Sequence, residues 1–89
     1  MRAKMELIMK DAFRGLALRM RYDKKLTQYK MAEALVMSAR SYEDIECGNN
    51  ACGALTVCLL LMQCEDANAF LEDLQKQFEK EYALFELST

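Results

Sequence analysis

The chain has 89 residues, 53% of them hydrophobic, with no proline and only three glycines. That length supports one modest core, and the shortage of turn formers excludes a turn-rich β fold. No apolar run approaches the ~18 residues of a membrane-spanning helix, and with no histidine and no glycine-rich phosphate loop catalysis has little to stand on.

The formal net charge of −2 hides an asymmetry. Residues 1–42 hold ten Lys/Arg and four Asp/Glu, whereas residues 43–89 hold two Lys/Arg and ten Asp/Glu. A basic half beside an acidic half suggests one face for an anion and one turned away from it. Arg2, Lys4, Glu6 and Lys10 leave no apolar signal-peptide segment at the N-terminus, so a cytoplasmic location is expected.

Residues 4–24 read as a long first helix, with Met5, Ile8, Met9, Ala12, Phe13, Leu16, Ala17 and Met20 on one apolar stripe. Arg14, Arg19, Arg21, Lys24 and Lys25 crowd its second half. There they complement the helix dipole and are also placed to reach phosphates. Two short helices follow, over 27–34 and 38–46. Thr27 and Ser38 suit the N-caps, and Gly48 suits a left-handed stop. Cys47 to Gly53 reads as a loop.

Residues 54–63 read as a fourth helix, apolar nearly all round and therefore expected at the centre of the core. Its expected inward face is Leu55, Cys58, Leu59 and Met62. Asp66 is a plausible N-cap for a fifth helix over 67–86. There Leu71, Leu74, Phe78, Tyr82 and Phe85 form a seam of coiled-coil type. That seam serves either a dimer or the closing of the monomer's own core.

The four cysteines stand at 47, 52, 58 and 64, with no CxxC pair. Reduced thiols are expected, with Cys58 and Cys64 acting as small hydrophobes, and no metal or other cofactor is expected. Acid pairs such as Glu72 and Asp73 read as a solvated helix face.

Residues 13–64 resemble the phage Cro/repressor-type, or Xre-type, helix-turn-helix family. The matching residues are Leu26-Thr27-Gln28, Met31-Ala32-Glu33, Leu35, Met37-Ser38, Tyr42, Ile45-Glu46, Gly48 and Thr56. The resemblance implies an all-α, lambda-repressor-like bundle of four or five helices. The DNA-binding part would span 1–66, with a long C-terminal helix over 67–89 as an extension of the same domain. It implies a transcriptional regulator, a repressor, that binds double-stranded DNA as a homodimer; from the residues themselves, no membrane and no small-molecule ligand is expected. By position, Gln28 would bind a phosphate. Ala39, Arg40, Ser41 and Asp44 would face bases, with Lys30, Ser38 and Asn49 completing the DNA-facing set. Arg21 would pair with Glu46.

Three departures from the family pattern bear on that reading. Val36 stands where the turn usually holds glycine. A left-handed β-branched residue costs roughly 1–2 kcal/mol, so a reshaped turn is expected. Glu43 and Asp44 put acid on the recognition helix, where a carboxylate either accepts from cytosine N4 or repels the phosphates. The loop from Cys47 to Gly53 carries no cation. Modest DNA affinity per monomer is therefore expected, with strong dependence on dimerisation. A protein-interaction module that keeps the fold and binds little DNA is the alternative.

Overall fold

The computed structural model describes residues 1–88 and is all-helical. Its helices are α1 (Arg2–Asp23), α2 (Gln28–Ala34), α3 (Ala39–Glu46), α4 (Ala54–Gln63) and α5 (Ala67–Ser88). Each expected helix is present, with ends within about two residues of those read from the caps. Thr89, the last residue of the expected 67–89 extension, lies outside the described residues. Among the described residues, no helix is long and apolar enough to cross a membrane.

The starts of three helices are set by side-chain caps. Thr27 Oγ1 accepts from the Lys30 amide, Ser38 Oγ from the Ser41 amide and Asp66 Oδ1 from the Ala69 amide, at 3.0–3.1 Å. Each satisfies an N–H that has no partner within its own helix. The ends of α1, α2 and α3 share a second device. Lys25 (φ 55°), Val36 (φ 54°) and Gly48 (φ 80°) are left-handed. After each, the next amide reaches back to the end of the preceding helix. Leu26 donates to the Arg21 carbonyl at 3.0 Å, Met37 to Ala32 at 3.0 Å and Asn49 to Asp44 at 2.9 Å. These are Schellman closures. The turn at Val36 is therefore not reshaped. It keeps the left-handed geometry of a glycine turn, and the β-branched residue carries the strain.

The core is Phe13, Leu16, Ala17 and Met20 of α1, with Met31, Ala32, Leu35, Tyr42, Leu60 and Leu74. Small Ala17 and Ala32 let the helices approach closely, while Phe13, Tyr42 and Leu60 fill the volume between them. Phe13 meets Phe70 edge-on at 5.0 Å between ring centres. The long helices α1 and α5 lie side by side and stretch the molecule to 46 Å in its longest dimension.

The apolar faces of α4, α1 and α5 differ from the expected ones. Helix α4 is not enclosed by the core. Its buried positions are Thr56 and Leu60, flanked by Val57, Leu61 and, as expected, Leu59, while Leu55 (64% exposed) and Met62 (79% exposed) point to solvent. Cys58 is exposed too, so it is not a core hydrophobe. On α1, Met9 leaves the expected stripe and is exposed. The α5 seam is divided. Leu74 is buried and Phe78 packs against the core, whereas Leu71, Tyr82 and Phe85 are exposed.

Candidate nucleic-acid interface

The short helix α3 has two faces because of its spacing. Tyr42, Ile45 and Glu46 turn inward and are buried. Ala39, Arg40, Ser41 and Glu43 turn outward and are exposed, with Asp44 half-buried at the edge. Ser38, at the helix N-cap, is exposed and bonds Ser41 Oγ at 2.8 Å as well as accepting the Ser41 amide. The first turn is thereby held rigid, which fixes where Ala39, Arg40 and Ser41 point.

The inner face is anchored through one buried carboxylate. Arg21 Nε donates to Glu46 Oε2 at 2.6 Å and a terminal guanidinium nitrogen to Oε1 at 3.0 Å. This is a bidentate pair whose side chains are 15% and 5% exposed. Gln28 Nε2 donates to the same Oε1 at 2.9 Å, and Arg21 also reaches the Leu26 carbonyl at 3.3 Å. Arg14 Nε donates to the Glu46 backbone carbonyl at 2.6 Å. One residue of α3 therefore ties down α1 twice and α2 once. The Arg21 guanidinium additionally lies 4.8 Å above the Tyr22 ring.

The electrostatics follow from this arrangement. Burial works hardest against the charged form of Glu46, but the hydrogen bonds from Arg21 and Gln28 outweigh it. The carboxyl is held below its ordinary pKa. The bond to Glu46 raises Arg21 above its ordinary value. Burial first, then the adjacent Glu46, push the Tyr42 hydroxyl well up. Among the described residues, that hydroxyl is the buried side-chain oxygen with no hydrogen bond of good geometry.

The expected pair of Arg21 and Glu46 is thus present and buried. Gln28, expected at a phosphate, has its amide nitrogen on Glu46; its amide oxygen remains for other use. Lys30 is exposed and pairs with Glu33 at 3.5 Å, and Asn49 is exposed with its backbone amide closing α3. Of the α1 cations placed to reach phosphates, Arg14 proves structural, as does Arg21, whose pairing the resemblance implied. Arg14 and Arg21 both serve Glu46, which leaves Arg19, Lys24, Lys25 and Arg40 as exposed cations nearby. Sequence reasoning missed Arg14 on the α3 carbonyl. A cation next to the core residue Phe13 and one helical turn before Ala17, opposite a glycine-terminated helix, was the available signal.

Among the described residues, no group of three Cys, Asp or Glu side chains is placed to hold a metal ion. Burial raises the Cys52 thiol pKa, which disfavours its reactive thiolate. No protein-family model matches the chain, and no curated protein or solved structure matches it either.

Proposed function

We propose that the protein is a helix-turn-helix regulator that binds double-stranded DNA sequence-specifically as a homodimer and acts as a repressor. The observation that carries this reading is the outward face of α3. Ala39, Arg40 and Ser41 stand exposed on its capped first turn, above an inner face locked by Arg21, Glu46 and Gln28. A major groove admits one helix, and a guanidinium at its N-terminal end matches guanine O6 and N7. Lys30, Lys24 and Lys25 supply exposed charge for phosphates, while Ser38, Asp44 and Asn49 line the edges of the same face.

Selection from random duplex DNA with the purified protein, at stated salt, tests this reading. The expected result is a palindromic site with half-sites about one helical turn apart. Equal affinity for all sequences at low salt overturns it.

A second reading has its own support. Arg14 and Arg21 are consumed inside the fold, and Glu43 is exposed on α3. A polyanion therefore meets few free cations and an acid. On that reading α3 docks a basic protein surface, and a stable complex recovered without nucleic acid, together with no DNA selection, favours it.

A further inference from the structure

The outer face of α4 is an uncharged apolar surface that the core leaves unused. Leu55, Cys58 and Met62 recur at helical spacing on it and are exposed, bordered by Leu59, which packs partly against the core. No residue from Ala54 to Gln63 is charged. Helix α5 also exposes apolar side chains, but its solvent side is laced with Glu72, Asp73, Lys76, Glu79 and Lys80. An uncharged helix surface of this kind marks an interaction site.

We propose that this face is the contact between two copies of the chain, with the two α4 helices packed antiparallel about a two-fold axis passing between positions 58 and 59. The inference rests on the dimeric reading above and assigns its interface to α4 rather than to α5. In that register Leu55 of one copy faces Met62 of the other, and Cys58 lies beside the axis. The same patch meets itself, as a closed dimer requires.

Charge complementarity argues for a second copy over another partner. The N-terminus of α4 is capped by Gly53 with no side-chain bond, and its first turn holds no acid. Its free amides and dipole thus await an anion. Exposed Glu65 stands just past α4, after its C-cap residue Cys64. Antiparallel pairing brings Glu65 of each copy to the bare N-terminus of the other, twice by symmetry. Opposed helix dipoles add to this, and no like charges meet on the uncharged face.

The size of the contact sets its strength. Ten residues of helix are about 15 Å long, and such a face covers well under the ~800 Å² per partner of a standard interface. The dimer is therefore weak and concentration-dependent, and DNA carrying two half-sites completes it.

Sedimentation equilibrium of the full chain from about 1 μM to about 1 mM tests the proposal. The expected mass rises from the 10.3 kDa of one chain toward twice that value. Leu55→Lys/Met62→Lys, exposed in the monomer, keeps its helix content and raises the dimer dissociation constant by more than about tenfold, the effect of losing buried apolar area. Leu71→Lys/Tyr82→Lys on α5 leaves it unchanged. A short bismaleimide applied to the wild-type dimer links Cys58 to Cys58 in peptide maps. A monomer across the whole range, an α4 variant that still dimerises, or dissociation by the α5 variant overturns the proposal. Loss of DNA selection with the dimer intact sinks only the regulator reading.

Discussion

Arg21, in the last turn of α1, and Glu46, the last residue of α3, form a bidentate buried ion pair with a shorter distance of 2.6 Å. The pair holds the candidate reading helix against the long helix that organises the core. Gln28 adds a third donor from α2. Removing one partner leaves the other charge buried and uncompensated. Arg21→Ala or Glu46→Ala should therefore cost about 3–5 kcal/mol, measured by urea unfolding. Replacing both residues with apolar ones of similar size should recover much of that loss.

The depressed pKa of Glu46 links stability to acid. The unfolded chain binds the proton more tightly than the folded one. The contribution is therefore complete above the unfolded carboxyl value of about 4.3 and is lost as the pH falls through the lower folded value. Unfolding midpoints measured between pH 7 and pH 2 should drop across that acidic window. Glu46→Gln should be less stable at neutral pH and flatter below pH 4.

Val36 occupies a left-handed conformation at φ 54°, and its side chain is 75% exposed. Val36→Gly removes strain of about 1–2 kcal/mol while adding about 0.5–1 kcal/mol of unfolded-state entropy. Since the side chain packs against little, a net gain of about 0.5–1 kcal/mol is expected. Thermal unfolding should show a rise of a few degrees.

Leu74 is 6% exposed, whereas Tyr82 on the same seam is 52% exposed. Leu74→Ala should cost about 2–5 kcal/mol by cavity formation. Tyr82→Ala should fall within about 0.5 kcal/mol of the parent, as for other exposed positions. Equal losses in the two variants, in chemical denaturation of the monomer, would remove α5 from its place in the monomer core.

For DNA recognition, Arg40→Ala should flatten base preference at one position per half-site, by about 1–3 kcal/mol of discrimination. Competition binding with single-base variants of the selected site measures this. An unchanged preference strikes Arg40 from the readers.

The helix boundaries were legible because their chemistry is local. Thr27, Ser38 and Asp66 cap from within three residues, and Gly48 stops α3 by its own backbone freedom. The Arg21–Glu46 pair was legible only through the family resemblance, since 25 residues separate its partners. Lys25 gave no warning of its left-handed φ; a lysine takes that conformation here because the closure to Arg21 requires it.

By itself, the sequence determined five helices, their caps and the two-faced pattern of α3, because periodicity and capping act within a few residues. Tertiary structure alone decided which way α4 points. A helix apolar on every side holds no local preference for its buried face, so contacts with α1 chose Thr56 and Leu60 and left Leu55 and Met62 outside. It also decided which cations remain free. Arg14 and Arg21 carry the same charge as Arg40 in the sequence, but folding sets them on Glu46 and leaves Arg40 exposed on α3.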